Sequence, residues 1–339
     1  MYKRQVGDNG LVVGSGSVYV YKKTSLNWVF QYKLMASDGA DGDYFGRHII
    51  DAGNQILISA RGDDDNTGAV YAYEWSDDKW VELQKITASD GATDSYFGFG
   101  IDYDLGRLII AGGGSGYLFE FHGQSWIETL KLTPSEVVGS SAAINIDGDL
   151  IIFGDAYNNT AASFGGAVYT FEYNNNLWQE TNILYAEDTF GFGFYAYLDD
   201  EELMVADLSG KFFNYSRVNG KWDFNQIISP PDRNEFSIGD RFGSAIVFND
   251  NRLVVGSRFV NDSRIGSVYI FDKIGGDWIF TNKLKPTSSN SDDFFGFSVS
   301  MQNQDVMVGA INDDDNGIDS GSAFIYQNVD DTIFNNGFE

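Results

Sequence analysis

SDGADGDYFG, residues Ser37 to Gly46, returns almost unchanged as SDGATDSYFG, residues Ser89 to Gly98, 52 positions later. Each copy is acidic, rich in glycine, and ends on an aromatic-Phe-Gly corner. Such a duplication has two readings. One is a joint between repeated structural units; the other is a loop that binds a ligand or metal.

The surrounding sequence favours repeats. A short apolar run recurs seven times: LVVGS at 11, ILISA at 56, LIIAG at 108, LIIFG at 150, LMVAD at 203, LVVGS at 253 and VMVGA at 306. After each comes an aromatic-x-aromatic strand: Tyr19/Tyr21, Tyr71/Tyr73, Phe119/Phe121, Tyr169/Phe171, Phe213/Tyr215, Tyr269/Phe271 and Phe324/Tyr326. In six of the seven a Trp opens the next strand, at Trp28, Trp80, Trp126, Trp178, Trp222 and Trp278. Before the apolar run stands a Phe-Gly corner at Phe45, Phe97, Phe190, Phe242 and Phe295, with Val138-Gly139 as a degenerate sixth.

Each unit is thus four strands: A after Phe-Gly, B the apolar run, C the aromatic pair, D from the Trp. Period-2 alternation in A, C and D shows one face of each to a neighbouring sheet. Strand B is apolar throughout and is expected to be buried on both faces. Four antiparallel strands in about 50 residues, repeated, predict an all-β fold, a seven-bladed β-propeller of four-stranded antiparallel blades with incomplete terminal blades. The tryptophans and aromatic pairs are then packing residues between blades. No 3.6-residue period supports a helical solenoid.

Composition agrees. The chain has 339 residues, 43% of them hydrophobic and 16% aromatic, with 39 Gly and only 4 Pro, which suits many short strands and tight turns. A formal charge of -27 argues against a nucleic-acid partner, since a polyanion would be repelled. The absence of Cys removes disulfides, thiolate metal sites and thiol catalysis. No apolar run approaches 18 residues, so no membrane span is expected.

In order and spacing these motifs resemble the FG-GAP repeat family, which builds the integrin alpha-type β-propeller and many bacterial secreted proteins. Phe295-Gly296, Val308-Gly309-Ala310 and Ser322-Ala323-Phe324 follow that family's sequence. The resemblance runs from Val6 to about Asn328. It implies a secreted repeat protein, extracellular or at the cell surface, acting in binding or cell adhesion and generally not an enzyme. One departure is plain. The family's D-x-D-x-D-G calcium loop between strands A and B has no counterpart in the short turns AGNQ at 52, YDLGR at 103, IDGD at 146, DDEE at 199, NDN at 249 and NQD at 303.

The B–C and D–A connections emerge on one face of a blade, and they hold the long acidic loops. Binding sites concentrate on such loops. The candidate metal ligands are Asp38, Asp41 and Asp43; Asp63, Asp64 and Asp65; and Asp313, Asp314 and Asp315, with Asp319 beside them. Ca²⁺ takes six to eight hard oxygens of this kind, and is the one cofactor the sequence suggests. The plainer reading is that the aspartates are solvated turn residues bonded to their own backbone. Arg61-Gly62-Asp63 spells the tripeptide that integrins recognise, a match that Gly- and Asp-rich composition also produces unaided.

Catalysis has little support: His48 and His122 stand in different units, and no Gly-x-Ser-x-Gly elbow has a His partner. A glycosidase built on two carboxylates is the enzymatic alternative. A lectin-like, carbohydrate-binding propeller is the stronger rival. It needs exposed Trp, for which only Trp75, outside the repeat, is a candidate. The expected partner is a protein or glycan ligand, and the expected state a monomer.

The boundaries predict a single domain over residues 1–328 and a tail over 329–339. MYKRQ, residues 1–5, reads as a translated transposon-end adapter, a non-native start that would have removed a signal peptide and a first strand completing the last blade. A competing completion makes Thr332-Ile333-Phe334 that strand. The ending DDTIFNNGFE resembles a short C-terminal sequence on secreted bacterial proteins and points toward export.

Overall fold

The computed structural model describes residues 2–5, 14–24, 28–136, 139, 143–232, 241–259, 265–286, 292–313, 321–327 and 335–337, the first and last stretches as backbone alone. The chain divides into two compact units. Unit one is Met1–Asn158 with Ala167–Leu184; unit two is Asn159–Gly166 with Tyr185–Glu339.

Unit one holds four sheets. The first has three strands in the order β1 (Tyr2–Gln5), β2 (Ser17–Lys23), β3 (Trp28–Leu34). The second runs β4 (Ile49–Asp51), β5 (Gln55–Ala60), β6 (Ala69–Ser76), β7 (Lys79–Ile86); the third β8 (Ile101–Asp104), β9 (Arg107–Gly112), β10 (Ser115–Phe121), β11 (Trp126–Leu132). The fourth is β12 (Ala143–Asp147), β13 (Leu150–Asp155), β14 (Ala167–Asn174), β15 (Leu177–Leu184). Unit two holds three four-stranded sheets: β16 (Tyr195–Asp199), β17 (Glu202–Ala206), β18 (Phe212–Val218), β19 (Lys221–Ile228); β20 (Phe242–Phe248), β21 (Arg252–Ser257), β22 (Ser267–Ile274), β23 (Asp277–Leu284); and β24 (Phe295–Gln302), β25 (Asp305–Ala310), β26 (Ser322–Tyr326), β27 (Asn335–Gly337).

The fold is all-β, a β-propeller whose four-stranded antiparallel blades follow the A-B-C-D grouping of the sequence. Among the described residues six complete blades are present rather than seven. In the first sheet the strand opposite β2 is β1, with Tyr2 opposite Val20 and Gln5 opposite Ser17. The backbone groups of β2 need a partner on the side away from β3, and residues 2–5 supply it. Residues 11–13 of the expected first B strand lie outside the described residues, as does Val138. In the last blade, strand D is β27, from within the tail, pairing Phe324 with Gly337. Thr332-Ile333-Phe334 lies outside the described residues.

Five of the six described B strands are buried on both faces, whereas β25 alternates half-buried and buried residues. Every residue of β5 and β13 is buried, as are all but the first of β9, β17 and β21. Six of the seven C–D pairs carry a β-bulge, at Val20/Tyr21, Ala72/Tyr73, Leu118/Phe119, Thr170/Phe171, Asn214/Tyr215 and Ile270/Phe271, which makes Tyr117/Phe119, not Phe119/Phe121, the aromatic pair equivalent to the others. A bulge adds local twist, and this one recurs with the repeat.

The joint residues Phe45, Phe97, Phe242 and Phe295 each plug the space between two sheets of one unit. Phe45 and Phe97 are 1% and 0% exposed. Phe97 packs with Leu57, Val70 and Ile86 of the second sheet and Leu108, Tyr117 and Trp126 of the third. It meets its own blade's C-strand aromatics edge-on, Tyr117 at 5.4 Å and Phe119 at 6.0 Å. The same three-ring contact recurs for Phe45 with Tyr71 and Tyr73, Phe242 with Tyr269 and Phe271, and Phe295 with Phe324 and Tyr326. Such pairs add to the area they bury.

One corner falls elsewhere than expected. In Phe190-Gly191-Phe192-Gly193 the joint residue is Phe192, 0% exposed, whereas Phe190 is 41% exposed and lies against Phe164. The two overlapping Phe-Gly pairs are indistinguishable by composition. Backbone pairing separates them: the Phe192 amide bonds the Gly165 carbonyl at 3.0 Å, as the Phe97 amide bonds that of Thr67.

Candidate functional site: the acidic joints

The joint loops lie against the loops that precede each C strand. Gly62 N donates to the Asp43 carbonyl at 3.1 Å, and Tyr96 N to that of Asn66 at 2.7 Å. The acids of SDGADGDYFG therefore meet those of the 62–67 loop. Their charge, however, converges on a lysine.

Lys85 Nζ stands 2.8 Å from Asp38, 2.8 Å from Asp63 and 2.9 Å from Asp64. The Tyr71 hydroxyl donates to Asp38 at 2.6 Å and lies 3.0 Å from Asp63. Burial works to raise the Asp38 carboxyl, but the Lys85 and Tyr71 bonds outweigh it and hold the group below its ordinary value. In Asp63, only 3% exposed, burial wins and the carboxyl is pushed up despite Lys85. Burial opposes the Lys85 charge, yet three carboxylate partners raise its pKa well above that of a free lysine.

The remaining predicted ligands are dispersed. Asp43, 3% exposed, takes the Ala40 amide on its own loop, and burial raises its carboxyl. Asp41 and Asp65 are exposed. Asp64, Asp65 and Asn66 form a left-handed turn with φ of 48°, 57° and 63°. Asp313 is buried and accepts from the Ser322 hydroxyl at 3.0 Å; Asp314, Asp315 and Asp319 lie outside the described residues. Among the described residues, no group of three or more His, Asp or Glu side chains is arranged to hold a metal ion.

The tripeptide Arg61-Gly62-Asp63 is not displayed for recognition. Its aspartate is enclosed by Lys85 and Tyr71, and the Arg61 guanidinium lies over the Tyr44 and Phe99 rings at 5.4 and 5.5 Å. The His122 imidazole is exposed and faces Glu120 at 3.9 Å.

Composition did not reveal that these joints repeat as clips. Asp90 receives the Tyr117 hydroxyl at 2.9 Å and Lys131 at 2.6 Å; Asp232 receives the Tyr269 hydroxyl at 3.0 Å, and Lys283. The serine before the acid makes a second clip. Ser37 gives its amide and hydroxyl to the two oxygens of Glu82, Ser89 does so to Glu128, and Ser135 to Glu180. The signal was present as E-x-x-K in the D strand, Glu82/Lys85 and Glu128/Lys131, matched to Ser-Asp in the loop before it. Chemically, the arrangement joins the loop leaving one blade to strands C and D of the next and sets one ammonium among the acids it gathers.

The profile of the FG-GAP repeat matches residues 28–73, 80–116 and 278–326. No curated protein matches the sequence. Among solved structures, similarity extends to a candidate 6-phosphogluconolactonase from Bacteroides uniformis (TM-score 0.68, 12% identity, covering 100% of this chain and 94% of that one). A second of that name from Bacteroides fragilis gives 0.67 and 11%, covering 100% and 93%. A protein from Lactobacillus plantarum gives 0.66 and 13%, covering 100% and 96%. At such identity the likeness speaks for the fold alone.

Proposed function

Because the chain carries FG-GAP repeats, we propose that it is a non-enzymatic binding or structural module, exported to the cell exterior, that presents its long loops to a protein or glycan ligand. We read the three-stranded sheet as a seventh, partial blade. The observation that supports a binding role is the clipping of the loops: Ser37 and Asp38 fix one to Glu82 and Lys85, and Ser89 and Asp90 fix the next to Glu128 and Lys131. Loops held this way form a pre-ordered surface, which lowers the entropy lost on binding. The same bonds engage the carboxylates that acid–base chemistry would need, which supports the non-enzymatic reading. At the Asp38/Asp63/Asp64 joint, Lys85 supplies one of the two positive charges that Ca²⁺ would bring.

Trp75 favours a second reading, a carbohydrate-binding surface. It is 38% exposed and packs edge-on against Trp80 at 5.3 Å and Tyr32 at 5.5 Å, an amphipathic cluster on which a sugar ring could stack. A glycan and protein array run on the intact chain separates the readings. Saturable capture without turnover supports a module, and loss of glycan capture in Trp75→Ala supports the second. Product formed from a panel of glycosides and sugar lactones would make the chain an enzyme and overturn both.

A further inference from the structure

The repeat supplies an internal comparison at one position. The first sheet sets Tyr19 opposite Lys33, and in three four-stranded blades a C-strand tyrosine likewise stands opposite a D-strand lysine: Tyr71 opposite Lys85, Tyr117 opposite Lys131, Tyr269 opposite Lys283. Each of the latter three lysines bonds the acid of the preceding loop, Asp38, Asp90 or Asp232. In the blade β12–β15 the register is the same, but Tyr169 stands opposite Ile183. The loop acid is present as Glu136, 3.3 Å from the Tyr169 hydroxyl. The ammonium is missing.

The same blade gains a carboxylate. Two residues beyond the tyrosine's partner on strand B, the three lysine-bearing blades have Ala60, Gly112 or Ser257. Here the residue is Asp155. It is 0% exposed; Oδ1 accepts the Tyr157 amide at 3.0 Å, while Oδ2 is buried with no hydrogen-bond donor. Phe153 pairs directly with Tyr169. Side chains alternate along a strand, so Asp155 shares the sheet face of Tyr169. Asn158, 4% exposed, joins the group through Nδ2, 2.7 Å from Glu136 and 2.9 Å from the Tyr169 hydroxyl. Burial raises the Asp155 carboxyl, and the charge of Glu136 adds to that. Where the blade β8–β11 sets Lys131 opposite its tyrosine, this blade sets Ile183 there and adds the carboxyl of Asp155.

We infer that Glu136, Asp155 and Asn158 bind a hard metal cation, Ca²⁺ by the chemistry of the donors, beside Tyr169 where the other blades place an ammonium. With the Asn158 carboxamide turned over so that Oδ1 replaces Nδ2, every donor is an oxygen of carboxylate, carboxamide or hydroxyl type, and water would complete a shell of six to eight. A buried carboxylate oxygen without a donor is costly, and a cation relieves that cost as the lysine does elsewhere.

Thermal unfolding of the intact chain tests the site in chelator, in millimolar CaCl₂, and in NaCl of equal ionic strength. The wild type should gain about 2–4 °C in CaCl₂ beyond the NaCl control. Asp155→Ala should lose that gain. Ile183→Lys should also lose it, while unfolding in chelator at or above the calcium-loaded wild type. Terbium luminescence sensitised by Tyr169 gives a second readout should Ile183→Lys fail to fold, and Asp155→Asn should abolish it. A wild type with no calcium-specific shift and no terbium signal overturns the site. So does a shift or signal that survives loss of the Asp155 carboxylate.

Discussion

A Cβ atom built on Gly68 would stand 2.1 Å from the carbonyl oxygen of Phe97. Gly68 ends the loop before a C strand and Phe97 lies in the joint that follows, and the contact recurs at Gly16 with Phe45, Gly166 with Phe192 and Gly266 with Phe295. The glycine before each C strand is therefore fixed twice, by φ near +85° and by the approach of the next joint's backbone.

Gly68→Ala should cost about 3 kcal/mol or more, because a backbone atom cannot step aside as a side-chain tip can. Gly53, with φ +79° and nothing within 4 Å of its Cβ position, isolates the conformational part. Gly53→Ala should cost only about 1–2 kcal/mol. Equal shifts in urea midpoint for the two variants would show that the Phe97 contact is not a constraint.

Phe97→Ala should cost about 3–5 kcal/mol, the range for emptying a buried aromatic site. Phe190→Ala should cost under about 1 kcal/mol, since Phe190 is 41% exposed. A reversed order in urea denaturation would move the joint from Phe192 back to Phe190.

What the sequence disclosed and what it hid follow from the range of the forces involved. Runs such as ILISA and LIIFG are legible because a strand covered on both faces tolerates no polar side chain, so composition alone marks them. The Phe-Gly corners are legible for the same reason, except where FGFGF offers two phases that only the bond from Phe192 to Gly165 resolves. The acids were legible as charge but not as partners. Lys85 lies 47 residues beyond Asp38 and 22 beyond Asp63, and only the folding of strand D against strand C brings them together. Nor could composition show that Asp155 replaces Ala60, Gly112 and Ser257, which becomes visible only once strand register is known.

Lys85→Met leaves Asp63 buried and Asp38 and Asp64 facing one another without a cation. With Lys85 itself partly exposed, the loss should be about 2–3 kcal/mol at pH 7, near the low end for breaking a buried ion pair. Asp63 has a raised pKa, so it protonates readily as the pH falls. The gap to wild type should therefore narrow in urea titrations taken toward pH 4. A gap that is constant from pH 7 to pH 4 would mean that packing of the lysine stem, not charge, sets the cost.

Changing Asp63, Asp64 and Asp65 together to Asn tests whether this loop needs a metal. With Lys85 as the cation of the joint, the triple variant should lower the melting temperature by the same amount in CaCl₂ and in chelator. A loss seen only in CaCl₂ would assign calcium to the 62–67 loop instead.

Asp102 gives the pH dependence of a contact between two blades of unit one. Its side chain reaches from β8 to β12, where Oδ2 accepts the Ile146 amide at 2.9 Å and the Asn145 amide group at 3.1 Å. Burial outweighs these bonds and lifts the carboxyl to about 6. The folded chain therefore holds a proton here that the unfolded chain, with a pKa of about 3.9, has released. Between pH 4 and pH 6 the folded state binds more protons, so stability from this group falls as pH rises. Below pH 4 both states are protonated, and above about pH 6 neither is, so the dependence is confined to that window. The difference should reach about 3 kcal/mol. Asp102→Asn keeps an acceptor for Ile146 and cannot ionise. Relative to wild type it should gain stability from pH 4 to pH 6 and stay level above. Parallel urea midpoints for the two proteins across that window would show that Asp102 titrates as an ordinary surface acid.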